Sequence, residues 1–280
     1  MAKKNNGPKI VYYEDERHDD FASADIKNKG VRSNYRYFNR NFFSRTGGWV
    51  FRQIIAIPLL FLANLFIYQS RVKNRRVLKG VKKAGYYIYA NHVLDYDPIT
   101  HPVLLNPSKF CVVVAGPEAF SIHPIVSWMV KSLGAIPIPN KNDLEMFANY
   151  TKCLSHHIQK KHRVLIYPEA HIWPYCNFVR DFTPSSFRYP VNDNVPIITA
   201  TTVFKKKRFK KKPVAYIYLD GPFYANPELT GREKVDDLAS RAQQAMRKRS
   251  EVEWNYSYIK YVKKPRENSP SLKGTPNPRH

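Results

Sequence analysis

Between residues 86 and 167 four short apolar runs recur: Tyr86-Tyr-Ile-Tyr-Ala90, Lys109-Phe-Cys-Val-Val-Val-Ala115, Gly134-Ala-Ile-Pro-Ile-Pro139 and Val164-Leu-Ile-Tyr167. Each is too short to be a self-sufficient helix, and none alternates polar with apolar residues, so each reads as a strand covered on both faces. Helical stretches separate them, beginning at 98–105, near 122–133 and, as an amphipathic pattern, over 143–162. Strands buried on both sides and spaced by helices dictate an α/β class, a mostly parallel sheet with flanking helices. A further strand is expected at 194–200, another at 214–219, and a last amphipathic helix at 231–252.

The chain has 280 residues, 43% of them hydrophobic, enough for one sizeable core. Its formal net charge of +24 calls for an anionic partner: a membrane surface, a nucleic acid or an acidic carrier. The 19 Tyr and 16 Phe suit either a membrane interface or base stacking, but no recognised nucleic-acid motif accompanies them. Cys111, Cys153 and Cys176 have neither CxxC nor metal-ligand spacing, which points to free thiols and no metal site. No Gly-rich phosphate loop is present, so no nucleotide cofactor is implied.

Three segments are expected: an N-terminal extension with a membrane-anchoring helical element (1–76), the α/β domain (77–263) and a flexible basic tail (264–280). The start lacks the apolar core of a secretory signal, so export is not expected. The acidic patch at 14–20 has no regular ligand spacing and reads as a solvated, irregular extension. Residues 34–43 interleave basic and aromatic groups. The most apolar stretch follows, within 49–68, but Arg52, Gln53 and Asn64 leave its uninterrupted length short of the roughly 20 residues that span a bilayer. Cations flank it on both sides, which favours an anchor lying in the membrane plane over a span. A buried core helix is the alternative.

Chemistry concentrates at 86–98, where a strand stops at Asn91-His92 and Asp97-Pro98 follows. A histidine at an exposed corner can take a proton near neutral pH, and a carboxylate on its other nitrogen fixes its tautomer. On one helix, residues five apart lie about 140° out of phase, so His92 and Asp97 meet only if the chain bends between them. Pro98 supplies the bend. Two rivals stay open: Asp97 as a simple N-cap of the next helix, and Asp95 as the true partner of His92.

Asn91-His92-x4-Asp97 resembles the Asn-His-x4-Asp block of the glycerolipid acyltransferases, specifically the 1-acylglycerol-3-phosphate (lysophosphatidic acid) acyltransferase family. Three further blocks occur in the family's order. Gly134-Ala-Ile-Pro-Ile-Pro-Asn140-Lys141 falls where the family has a Gly-led strand ending in a phosphate-gripping arginine; Asn140 takes the arginine's place and Lys141 comes next. Tyr167-Pro168-Glu169-Ala170-His171 resembles the Pro-Glu-Gly-Thr-Arg block, with Ala170, His171 and Ile172 in place of Gly, Thr and Arg. Arg180 or Arg188 is then the candidate for compensation. Asn194-Val-Pro-Ile-Ile-Thr199-Ala200 resembles the fourth, a strand on the acyl-donor side.

The resemblance implies His92 as general base and Asp97 as its orienter. It also implies Asn91 at the loop or oxyanion, with Gly134, Lys141, Glu169, Ala170 and His171 on the substrate side. No metal or cofactor is required; acyl carrier protein or coenzyme A carries the donor acyl group, and a lysophospholipid such as lysophosphatidic acid accepts it. Another lyso-lipid acceptor, or a catalytically silent lipid-binding protein on the same fold, is the competing reading. Residues 205–212 hold seven cations in eight, a self-repelling run that reads as an exposed hairpin tip facing anionic lipid or an acidic carrier. The expected location is the cytoplasmic face of the cell membrane.

Overall fold

The computed structural model describes residues 8–22, 30–31, 35–38, 42–120, 124–140, 142–208 and 210–264. Its elements run β1 (Lys9–Tyr13), α1 (Phe42–Val50), α2 (Ile57–Ala63), β2 (Arg71–Lys73), β3 (Tyr86–Ala90), α3 (Asp97–Leu105), β4 (Cys111–Ala115) and α4 (Pro124–Ser132). They continue with β5 (Ala135–Pro137), α5 (Leu144–Gln159), β6 (Arg163–Ile166), α6 (Arg188–Asn192), β7 (Ile197–Lys205), β8 (Val214–Phe223), α7 (Gly231–Ser250) and β9 (Ile259–Lys263). The four apolar runs are the strands β3, β4, β5 and β6.

The main sheet has the order β2-β8-β7-β3-β6-β4-β5. Neighbours pair in parallel throughout except β7 with β8, which form a hairpin across the cationic run. β3 lies near the centre and shows why its sequence is apolar at every position. Tyr87 and Tyr89 face a core shared with α5 and α7, while Tyr86, Ile88 and Ala90 face the opposite core with Leu104 and Leu105 of α3. The Tyr87 and Tyr89 hydroxyls donate to the Asp193 carboxylate and the Ser186 carbonyl at 2.6 and 2.9 Å, so neither buried phenol is left unpaired.

The N-terminal segment departs from expectation. Rather than a solvated extension, β1 pairs in parallel with β9, and residues 13–21 are built into the domain. Trp173 Nε1 donates to the Asp19 carbonyl at 2.7 Å, the Ile172 amide to Asp20 at 3.2 Å and Arg180 Nη1 to the Glu16 carbonyl at 3.2 Å. Tyr13, Phe21 and Tyr261 enclose the Trp173 indole. The physical reason is that the partners of this acidic stretch lie more than 150 residues away, where no local pattern signals them. β2 likewise joins the sheet ahead of residue 77, so the sheet begins inside the segment read as an anchor.

The apolar stretch is one helical run, Thr46–Tyr68, whose most apolar 18 residues have mean hydropathy 2.0 and are little buried. A π-helical turn at Phe51–Ala56 joins α1 to α2, and a second at Asn64–Tyr68 extends the run to its end. Two of its polar interruptions, Arg52 and Asn64, turn toward the domain, while Gln53 is exposed. Arg52 is buried with its guanidinium 4.9 Å over the Phe110 ring, and Asn64 bonds both the amide and the carbonyl of Ser70. Ile54, Ile55, Leu59, Leu62, Leu65 and Phe66 are left on the outer side.

Candidate active site

The sheet delivers its chemistry at the carboxyl end of β3, as open α/β sheets do. Past Ala90, the Asn91 side chain spans to the neighbouring strand: Nδ2 donates to the Thr202 carbonyl at 3.0 Å and Oδ1 accepts the Thr202 amide at 2.8 Å. Both amide functions are therefore spent on locking β3 to β7, and the expected substrate or oxyanion role of Asn91 is corrected to a clamp.

His92 follows on a loop held from three directions. Its amide donates to Glu169 Oε2 at 3.3 Å, its carbonyl accepts the Trp173 amide at 3.2 Å, and its ring stacks on Tyr167 with centroids 4.2 Å apart. Nδ1 lies 3.6 Å from Asp97 Oδ2, and 9% of the side chain reaches solvent. That separation is an ion-pair contact, longer than a hydrogen bond. Nε2, on the far edge of the ring, is the nitrogen left for a substrate.

Asp97 is the first residue of α3, yet it does not cap the helix. Its Oδ2 accepts the amides of Val93 at 3.0 Å and Leu94 at 2.8 Å, so the carboxylate reaches back and folds the His92–Asp97 loop around itself. This is the bend that the spacing demanded, and it overturns the N-cap reading. Asp95 is exposed and lines the adjoining cleft, and Asp97 is the acid beside His92.

A second imidazole, not anticipated from sequence, holds the other carboxylate oxygen. His101 Nε2 sits 3.4 Å from Asp97 Oδ1, and His101 Nδ1 lies 3.0 Å from the Tyr167 hydroxyl. Burial lowers the His101 pKa more than Asp97 raises it, and burial raises that of Tyr167, so both are neutral. The tautomer with the imidazole proton on Nε2, facing the Asp97 carboxylate, leaves Nδ1 to accept from the phenol. The available signal was the i, i+4 spacing from Asp97 on one helix.

Glu169 is buried and braces the site from behind. Besides the His92 amide it accepts the Arg180 amide at 3.0 Å and Arg180 Nη2 at 3.1 Å. Arg180 also donates to the His171 carbonyl and lies over Trp173 at 4.7 Å. It is fully buried, so it compensates Glu169 and is not turned outward to a phosphate. Ala170 is exposed at φ 63°, the left-handed region where the family's block carries glycine. His171 points to Asp20, with Nδ1 3.5 Å from Oδ2.

The remaining expectations separate from this cluster. Gly134, at φ +101°, lies at the opposite end of the sheet, where an added Cβ would stand 2.3 Å from the Cys111 carbonyl. It is corrected from a substrate residue to a close-approach glycine at the start of β5. Asn140 bonds the amide and carbonyl of Val31 at 3.0 and 2.7 Å, so the residue in the arginine's place anchors the N-terminal segment. Lys141 lies outside the described residues. Arg188 stacks on Phe147 and Tyr189 beside the start of β3. Among the described residues no group of three His, Cys, Asp or Glu side chains offers a metal site. A cleft of about 620 Å³ opens beside the 94–96 loop.

A parallel α/β sheet presenting a carboxylate-backed histidine at a strand end, with a buried Pro-Glu turn behind it, defines an acyltransferase domain: residues 69–203 match the family model described as Acyltransferase. The chain is accordingly an acyltransferase enzyme. Among solved structures it is similar to the 1-acyl-sn-glycerophosphate (LPA) acyltransferase, PlsC, from Thermotoga maritima. The TM-score is 0.50 at 13% identity, over 74% of this chain and 89% of that one, which is a likeness of fold. Among curated proteins none matches.

Proposed function

We propose that this chain moves a fatty acyl group from a carrier thioester, acyl carrier protein or coenzyme A, to the free hydroxyl of lysophosphatidic acid at the cytoplasmic face of a membrane. The observation that carries the reading is the His92–Asp97 loop, in which the carboxylate is buried, fixed by two amides and set beside Nδ1. His92 Nε2 takes the acceptor's hydroxyl proton as its oxygen attacks the thioester carbonyl. The C–O bond forms, the C–S bond breaks, and the imidazolium returns the proton to the departing thiolate. Positive charge on the ring draws Nδ1–H onto Asp97, closing the 3.6 Å gap as the proton arrives. His101 and Tyr167 keep Asp97 from turning away.

The outer face of the Thr46–Tyr68 run supports an in-plane anchor. Arg52 is buried over the Phe110 ring and Asn64 bonds Ser70, and the residues left outside for lipid are mainly apolar, with Gln53 the polar exception. The charge of +24 adds attraction to anionic lipid headgroups.

A second acceptor class is favoured by one observation: Asn140 and Arg180 are committed to Val31 and Glu169. Purified protein in anionic vesicles, given labelled acyl donor and a panel of lyso-lipids, tests both. His92→Ala and Asp97→Asn are each expected to lower turnover by about 10²–10⁴ while vesicle binding is kept. Near wild-type turnover in the His92 variant rejects the mechanism.

A further inference from the structure

The cleft beside the active-site loop is amphipathic. One wall is apolar and aromatic: Ile67 and Tyr68 end the lipid-facing helix, and Tyr68 stacks on Tyr96 with centroids 4.1 Å apart. The cleft is also lined by the tip of the β7–β8 hairpin, with Lys210, Lys211 and Lys212. Lys210 donates to the Gln69 side chain, so the hairpin is tied to the end of the helix. Lys211 and Lys212 are exposed on the rim. Asp95 is the one acid among the lining residues, against three lysines.

The same cleft is lined by Leu94 to Tyr96, part of the loop that separates His92 from Asp97. Their path is fixed by the Asp97 carboxylate and by the Tyr175 amide, which donates to the Val93 carbonyl at 2.8 Å. A ligand here has its polar end against ammonium groups and its apolar end against the membrane element, directly beside the catalytic loop. In a monoacylated glycerol phosphate only two carbons separate the free hydroxyl from the phosphate ester oxygen, so a hydroxyl at His92 requires its phosphate close by.

Resting on the acyl-transfer reading, we propose that this lysine-lined cleft binds the phosphate monoester of the acceptor, taking over from the arginines that the second and third blocks lack. Ammonium groups hold a phosphate as point charges, without the fork of a guanidinium, so the grip is electrostatic and tolerant of headgroup orientation.

Calorimetric titration of sn-glycerol 3-phosphate into the full chain reads the site without catalysis. Lys211→Gln/Lys212→Gln is expected to weaken binding by about tenfold or more, and Lys206→Gln/Lys207→Gln, on the same hairpin outside the cleft, by less than about twofold. In acyl transfer, the cleft variant raises KM about tenfold for lysophosphatidic acid and leaves KM unchanged for an uncharged monoacylglycerol. Unaltered glycerol phosphate binding, or equal loss in both lysine pairs, overturns the proposal. A KM rise confined to the acyl donor assigns the cleft to the donor's phosphate and overturns it too. Glycerol phosphate binding that depends on Lys211 and Lys212 in a protein that transfers no acyl group upholds the site and rejects the activity.

Discussion

At the residue scale, the site is a set of buried charges whose partners are specific. Glu169 and Arg180 are both fully buried, and removing one strands the other. Arg180→Leu is expected to destabilise the fold by about 3–5 kcal/mol, and Glu169→Gln/Arg180→Leu by less, because the double variant leaves no uncompensated charge. Urea unfolding of the single and double variants checks the difference. A second residue-scale effect is titration. Burial pushes the His157 pKa down to about 4, aided by His162 and His156. The unfolded chain therefore binds a proton that the folded chain refuses. The stability His157 supports is fully present above about pH 6.5 and falls as pH drops toward 4, by a total on the order of 3 kcal/mol. A His157→Asn variant is expected to show a shallower loss of urea midpoint across that window, and an unchanged slope overturns the assignment.

At the element scale, the Thr46–Tyr68 run is a helix with two duties, and its sequence separates them. Arg52 and Asn64 hold it to the domain, whereas Leu62 and Phe66 are exposed. Leu62→Glu/Phe66→Glu places two charges on the lipid side and is expected to lower vesicle association at least about tenfold with the thermal midpoint unchanged, read by co-sedimentation and circular dichroism. Gly134 is the opposite case, an element boundary with no freedom. At φ +101° and with the Cys111 carbonyl where a Cβ would go, Gly134→Ala is expected to cost about 2 kcal/mol or more, measured as a fall in urea midpoint.

At the scale of the whole molecule, charge and topology act together. A +24 chain binding anionic vesicles is expected to lose affinity as salt rises from about 50 to 300 mM, while the apolar helix supplies a salt-insensitive remainder. Salt-independent association would remove the electrostatic part of the membrane reading. The N-terminal segment also belongs to this scale. β1, Asp19 and Asp20 bond residues 172–173 and 259–263, so β1, β9 and the segment after the Pro-Glu turn form one support behind His92.

The sequence by itself determined the sheet strands, because burial on both faces demands unbroken apolar runs, and it put His92 and Asp97 forward as a pair within one contiguous block; the structure chose Asp97 over Asp95 and over a helix cap. The sequence did not determine where Asn91, Gly134 and Asn140 act. Their family positions suggested substrate contact, and each is instead spent on a backbone neighbour: Thr202, Cys111 and Val31. Nor did it show His101 behind Asp97 or Arg180 behind Glu169. The i, i+4 spacing left a trace of His101, but the other assignments belong to the tertiary structure, because a buried polar group takes whatever partner the fold brings within hydrogen-bond reach, and for a pair such as Asn91 and Thr202 distance along the chain carries no information about distance in space.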